Sequence, residues 1–369
     1  MKLVYILEQF YLHGGIEKIT ASKLNWLSKN GYDVSLIVNS QKNKEKIYLL
    51  DDRIKFIDLD IDYKVGTSYF HPLNLRKLPK HLISLKKVLN KIKPDVIVIT
   101  SLQFDYYFLP FITNAKIIRE FHSSRYYYEI KRQNTKFFLK KLKYKIEDFI
   151  ESKYTYNVVL TPDEVKHYRN KNTVVIPNGI EIKENSGISD LKNKTVIAAG
   201  RLAEVKNFEE LIEIWSKIAI KFPDWTLKIY GEGDTDYKQK LINLIDKNDL
   251  NKQICLCGST DELDKKMLDS SIYVMTSKTE CFPMVLLEAL NVGLPIVSYD
   301  CPYGPKNIIK ANEDGFLVEY NNKKDFIFKL SLLMSDFNLR QKMGGWGNKN
   351  IKEKQLDFVM KKWIKLFNK

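Results

Sequence analysis

The chain is poor in the residues that mark special classes of protein. Four cysteines among 369 residues (Cys255, Cys257, Cys281, Cys301) are too few and too irregularly spaced for a disulfide framework. A reducing, cytosolic setting is therefore expected. Cys255 and Cys257 lack a nearby Cys or His pair at zinc-binding spacing, so both are expected to be buried, reduced thiols. No cleavable leader is read ahead of the first strand-like run, and no apolar run approaches the roughly 20 residues that a membrane-spanning helix needs. With 16 glycines and 11 prolines the composition is neither collagen-like nor of low complexity, and no fixed-period repeat is found. Metal-binding patterns are scarce too. Asp58, Asp60 and Asp62 imitate one, but they alternate with Ile57, Leu59 and Ile61 as on a half-exposed strand, and Tyr63 stands where a calcium loop needs glycine. No metal site is expected.

What the chain does have is apolar material and positive charge. Hydrophobic residues make up 44% of it, ample for a core, and the length suits two domains. The net charge is +15, and it is unevenly shared. Residues 1–175 hold 31 Lys and Arg against 18 Asp and Glu, while residues 176–369 hold 29 against 27. Nucleic acid, an anionic bilayer and an anionic substrate all fit such a field, and charge alone does not choose among them.

The rhythm along the chain is a short apolar run, a turn, then a helical stretch. Leu3–Leu7 leads through Gly14 and Gly15 into an amphipathic stretch Glu17–Asn30; Val34–Val38 and Asp95–Ile99 are further strands. After Ile176–Gly179 and a polar stretch Glu184–Lys194 the rhythm restarts. Strands are expected at Val196–Ala199, Leu227–Tyr230, Ile254–Leu256, Ile272–Met275 and Leu294–Ser298, with a helix over Asn207–Phe222. Continuous Val/Ile runs separated by helices indicate parallel strands buried on both faces. The expected class is α/β, with two Rossmann-like domains facing each other across a cleft, and ligands at the carboxyl ends of the strands. The boundaries are drawn at 1–175 and 176–349, and the segment 350–369 is expected to cross back to the first domain with Phe358, Trp363 and Phe367 at helical spacing.

Two segments of the second domain carry chemistry. In Thr279–Ala289 two carboxylates, Glu280 and Glu288, lie eight positions apart, the first in a loop and the second in a helix beginning near Met284. The N–H groups of such a helix start make an anion site fit for a diphosphate. The plainer alternative is an acidic residue complementing the helix dipole and a solvated glutamate. In Gly200–Asn207, Arg201 and Lys206 share one strand-to-helix loop and can converge on a phosphate group to stabilise a departing diphosphate. The plainer alternative is a pair of solvated cations.

With His13-Gly14-Gly15-Ile16-Glu17 after the first strand, these segments resemble the retaining glycosyltransferases of GT-B fold known as glycosyltransferase family 4, from the first strand to about Gly345. The resemblance implies that Arg201 and Lys206 grip the nucleotide diphosphate and that Glu280 addresses donor-sugar hydroxyls. It implies that Glu288 binds the ribose and that the backbone of Phe282, Pro283, Met284, Val285 and Leu286 lies beside sugar and phosphate. Gly14, Gly15, Gly200 and Gly231 join the donor-binding set, the first two by letting backbone approach the diphosphate without a Cβ. His122 resembles the histidine lying over the donor sugar; as a bare residue it reads equally as a cap on a strand. The family usually has Gly where Cys281 stands, and the segment Asp300–Asn307 resembles versions in bacterial surface-polysaccharide enzymes.

The function so implied is transfer of a hexose from a nucleotide sugar, expected to be UDP-linked, to a hydroxyl of a growing surface glycan or its lipid-linked precursor. The nucleotide sugar is a substrate; no cofactor and no metal are implied. A non-catalytic GT-B protein that binds nucleotide or glycan is the alternative. The basic surplus concentrates in Asn74–Lys93, with seven Lys or Arg and no acid, and in Arg125–Lys145, with eight and only Glu129. The second is interleaved with Tyr126, Tyr127, Tyr128, Phe137, Phe138 and Tyr144. Cations mixed with rings suit an anionic bilayer, so peripheral attachment to the inner face of the plasma membrane is expected. Binding to nucleic acid would explain the charge but neither Glu280 nor Glu288, and is not expected.

Overall fold

The computed structural model describes residues 1–64, 70–100, 104–182 and 187–369. Part of the polar stretch read over Glu184–Lys194 (184–186) lies outside them. The chain divides into two compact units, Met1–Gly179 with Leu356–Lys369, and Ile180–Gln355.

The first unit holds β1 (Lys2–Leu7), β2 (Asp33–Val38), β3 (Lys55–Asp58), β4 (Val96–Ile99), β5 (Lys116–Glu120), β6 (Tyr156–Val159) and β7 (Thr173–Val175). All are parallel, in the order β3-β2-β1-β4-β5-β6-β7. The second holds β8 (Thr195–Ala199), β9 (Thr226–Tyr230), β10 (Ile254–Gly258), β11 (Ile272–Met275), β12 (Ile296–Asp300) and β13 (Gly315–Glu319), again all parallel, in the order β10-β9-β8-β11-β12-β13. The order reverses between β1 and β4 in one sheet and between β8 and β11 in the other. Such switch points leave room for ligands at the carboxyl edge.

The strands form where the sequence offers Val/Ile runs, and the central ones are buried along their length: every residue from Leu3 to Leu7 and from Val96 to Ile99 is sealed from solvent. Helices cover them with apolar stripes. In Phe208–Ile218 the buried positions Phe208, Leu211, Ile212, Trp215 and Ile218 recur every three or four residues, one face of a helix. That helix ends at Ile218, short of the expected Phe222.

Three expectations are corrected. The first unit runs to Gly179, and the returning segment joins it at Leu356; residues 350–355 belong to the second unit. In the returning helix, Leu356–Phe367, the buried stripe is Leu356, Val359, Met360, Trp363, Leu366 and Phe367, whereas Phe358 points outward. Phe358 lies five residues before Trp363, a separation that 3.6 residues per turn puts on a different face. Cys255 is exposed and Cys257 half-buried, because both lie on β10, the edge strand of its sheet. Asp58, Asp60 and Asp62 are exposed while Leu59, Ile61 and Tyr63 are buried; the strand itself ends at Asp58. The three carboxylates turn to separate partners, Asp58 accepting from the Gln41 N–H at 3.1 Å, Asp60 meeting Lys80 at 3.2 Å and Asp62 meeting Lys42 at 3.9 Å.

Trp363 is fully buried in the core of the first unit beside Leu24, Leu27 and Val359. Trp363→Ala is expected to cost about 3–5 kcal/mol, lowering the melting of the first unit and sparing the second, as differential scanning calorimetry would resolve.

Candidate functional site

In the second unit four loops at the carboxyl edge hold one another. The loop after β8 continues strand-like pairing with the loop after β9: Gly200 N–H donates to Tyr230 O at 2.9 Å, Leu202 N–H to Glu232 O at 3.0 Å, and Asp234 N–H back to Leu202 O at 3.1 Å. This approach requires glycine. A Cβ on Gly231 would lie 1.9 Å from Gly200 O, and one on Gly233 would lie 2.1 Å from Leu202 O. Glu204–Lys206 then forms a single tight turn, and Asn207 takes φ of 55° to start the helix Phe208–Ile218. Asn tolerates that left-handed geometry, and its side chain donates to Glu210 Oε2 at 2.7 Å.

The turn sends Lys206 back over Gly200, where a Cβ would stand 3.0 Å from Lys206 Cε. The ammonium meets Glu280 Oε1 at 2.6 Å, the two side chains being 21% and 14% exposed. Glu280 is itself fixed from both sides by the loop after β12: its N–H donates to Pro302 O at 2.9 Å, and its carbonyl accepts from Tyr303 N–H at 2.8 Å and Gly304 N–H at 3.0 Å. The loop after β11 is tied to that after β8 through Lys278 N–H to Val205 O at 2.8 Å and Thr276 Oγ1 to Asn207 O at 3.0 Å. Lys206 and Glu280 are thus brought together by backbone contacts, and their charges cancel.

Arg201 is exposed, and among the described residues its guanidinium makes no hydrogen bond or ion pair. The helix expected near Met284 spans Met284–Asn291 with Pro283 at its cap. The N–H groups of Met284 and Val285 have no partner within the helix, while Leu286 N–H donates to the cap carbonyl of Pro283 at 3.1 Å. Glu288 lies half-buried in its second turn. Phe282 and Leu286 are buried. Cys281 is buried beside Glu280. The neighbouring Cys301 thiol is pushed far up by burial and by the Glu280 and Asp300 carboxylates, and stays protonated.

In the first unit, the loop after β1 and the end of β5 carry the expected residues. Gly14 caps the helix Gly15–Lys29, and a Cβ there would lie 2.0 Å from Glu17 Oε2. The space at Gly14 is therefore filled by the chain's own carboxylate lying back over the helix start, the placing typical of an acid at the third helical position. At Gly15 a Cβ would meet nothing within 4 Å. His122 follows β5 with Nε2 at 3.4 Å from Glu120 Oε1. Glu120 also accepts from Lys23, and both of these charges are buried. Burial raises the Glu120 carboxyl, but Lys23 and the His122 ring outweigh it and hold it at about 2. Burial pushes the Glu17 carboxyl up, with the Gln9 amide and His122 opposing.

Lys23, Glu120 and Glu17 carry no role in the sequence reading. One signal was available: Lys23 interrupts the buried helical stripe of Ile19, Thr20, Leu24 and Leu27, a place where an unpaired charge is costly. The basic stretch Arg125–Lys145 also changes on inspection. Arg125 is buried on Glu151, and Arg132 pairs with Asp148; Lys131, Lys136, Lys140, Lys141, Lys143 and Lys145 remain exposed. Beside them Phe137, Phe138 and Leu139 are at least 70% exposed. Tyr128, Phe137 and Tyr144 wall a groove of about 620 Å³ whose rim includes Lys131, Lys136, Lys140 and Lys143. Among the described residues no helix is long and apolar enough to cross a membrane.

Residues 180–350 match the family described as glycosyl transferases group 1, and residues 13–184 match glycosyltransferase family 4. An uncharacterized glycosyltransferase of Haemophilus influenzae is 26% identical over 355 residues, covering 95% of this chain and 95% of its own. The amylovoran biosynthesis glycosyltransferase AmsD of Erwinia amylovora is 24% identical over 379 residues, covering 100% of this chain and 99% of its own. Among solved structures, Anabaena HepE in complex with UDP and glucose superposes with a TM-score of 0.80 at 15% identity, covering 100% of this chain and 99% of that one. Two matches that overlap at 180–184 and together run from residue 13 to residue 350, each on a unit with an all-parallel sheet, place this chain among the glycosyltransferases of family 4, of GT-B fold.

Proposed function

We propose that this glycosyltransferase moves a hexose from a UDP-sugar to a hydroxyl of a surface glycan or its lipid-linked precursor, with retention at the anomeric carbon. The observation that carries the reading is the Lys206–Glu280 pair, a cation and an anion held 2.6 Å apart by four carboxyl-edge loops. A diphosphate offers Lys206 a doubly charged partner, and the released carboxylate becomes an acceptor for sugar hydroxyls. Amylovoran biosynthesis in AmsD and UDP with glucose in HepE support the acceptor class and the donor.

In the step proposed, the acceptor oxygen bonds to the anomeric carbon on the face from which the diphosphate leaves. The carbon–oxygen bond to the diphosphate breaks as the acceptor proton passes to a phosphate oxygen. Arg201 and Lys206 hold the charge that collects on the leaving group, the first-turn amides at Met284 and Val285 add to it, and Glu288 takes the ribose. These side chains supply the positive charge without a metal. His122 in the first unit addresses a sugar hydroxyl. The exposed lysines and rings of Lys131–Lys145 support attachment to the anionic inner face of the plasma membrane, which would deliver a lipid-linked acceptor.

UDP at 100 times its dissociation constant is expected to add about 2.7 kcal/mol of stability, read as a thermal shift absent with GDP and ADP and lost in Glu288→Ala. Arg201→Ala and Lys206→Ala are each expected to lower transfer kcat by roughly 10²–10³; unchanged transfer in both would overturn the assignment of the leaving-group cations. In flotation with phosphatidylglycerol vesicles at low salt the protein should rise with lipid. Phe138→Ser with Leu139→Ser should weaken that binding by more than about tenfold, given roughly 1.5–3 kcal/mol for each buried side chain. Wild-type protein left in the soluble fraction would sink the membrane assignment.

A further inference from the structure

The pair Lys23–Glu120 lies sealed in the first unit, and its placing constrains His122. Lys23 comes from the helix Gly15–Lys29, with its ammonium 4.6 Å over the Trp363 ring of the returning helix. Glu120 ends β5, and its Oε1 receives Lys23 and faces His122 Nε2 at 3.4 Å. That ring nitrogen is buried, and no hydrogen-bond partner satisfies it. The other ring nitrogen, Nδ1, is not among the sealed, unsatisfied atoms, and is taken below as the one that meets a ligand.

We propose that the buried Lys23–Glu120 pair fixes the tautomer of His122, so that this histidine meets its ligand through an accepting Nδ1 and recognises a hydroxyl donor rather than a phosphate oxygen. The inference rests on the reading of His122 as a ligand-facing residue. Its basis is electrostatic. A neutral imidazole carries one proton, and the two nitrogens present opposite faces, one donor and one acceptor. A lone pair on Nε2 would point at a carboxylate in a dry site, where repulsion is weakly screened; a proton on Nε2 points at an anion instead. Lys23 makes this arrangement permanent, because its ammonium keeps Glu120 ionised and so an acceptor only. Glu17, the other carboxylate near the ring, is bound to Gln9 Nε2 at 3.2 Å and folded over Gly14. With Nδ1 bearing a lone pair, the ring repels phosphate oxygens and accepts from a hydroxyl. Lys23 and Glu120 are positioning residues in this scheme; neither touches the ligand.

The test is ¹⁵N NMR of histidine-labelled protein at pH 8, where an ordinary imidazole is neutral. The chain has five histidines, and His122→Gln identifies the signals of His122. One dominant tautomer is expected, with Nε2 protonated and Nδ1 bare. Lys23→Met with Glu120→Met replaces the ion pair by apolar side chains of similar length, an exchange that folds often tolerate. It should let the two nitrogens average, whereas Lys23→Arg should keep the wild-type pattern. A proton on Nδ1 in the wild type, or an unchanged His122 pattern in the double variant, overturns the proposal; should the double variant not fold, the wild-type tautomer decides alone. UDP thermal shifts on the same samples separate the two claims. A wild type indifferent to UDP strikes at the proposed donor and leaves the tautomer standing, while Nδ1–H with an intact UDP response defeats this inference only.

Discussion

Parallel pairing of strands buried on both faces is the constraint from which the rest follows. Each crossover must return over the sheet, so every strand-to-helix loop of a unit gathers at one edge, and polar chemistry has nowhere else to collect. In the second unit that edge carries Gly200–Asn207, Gly231–Asp234, Thr276–Pro283 and Cys301–Gly304. Their mutual hydrogen bonds convert separate loops into a single rigid rim. Rigidity of this kind is what a site needs if its charges are to be in place before the ligand arrives.

The two units spend charge differently. In the second, Lys206 and Glu280 remain partly solvated, so exchange of partners costs little. In the first, Lys23–Glu120 and the cluster of Arg119 and Arg125 on Glu151 are sealed. Arg119 lies over Tyr106 and Phe121, and Arg125 over Tyr168. Buried pairs add little net stability, but losing one partner strands the other and costs about 3–5 kcal/mol. They therefore act as fixed frames. One frame holds the end of β5 and with it His122; the other anchors the helices Tyr126–Gln133 and Phe138–Lys153, so that their outer faces can hold lysines and rings in water.

Much of this was legible in the sequence, because the signals were local. The Val/Ile runs of β1, β2, β4, β8 and β11 mark strands by themselves, and Glu280 and Glu288 fall in the loop and helix that their spacing suggests. The short peripheral strand Thr173–Val175 carries too few apolar residues to announce itself, since the sheet rather than the segment stabilises it. Long-range pairings were out of reach for a related reason. Nothing near Lys23 names Glu120, ninety-seven positions away, and nothing near Arg125 shows that it is buried rather than solvated. Nor does anything in the sequence show that the Glu17 carboxylate lies back over Gly14, three residues before it.

The resting state of the rim also bears on how a donor is chosen. Lys206 already has an anion, so a ligand gains only the difference between its own bonds and those of Glu280. In the proposed reading a diphosphate competes with Glu280 for the Lys206 ammonium, which engages only one oxygen of that carboxylate. Under that proposal the two halves of the donor would be read by groups that are already in contact with each other. Gly200 is part of the same device, since the Lys206 stem lies in the space a Cβ would fill. A side chain at residue 200 would press on the Lys206 stem without touching either charge.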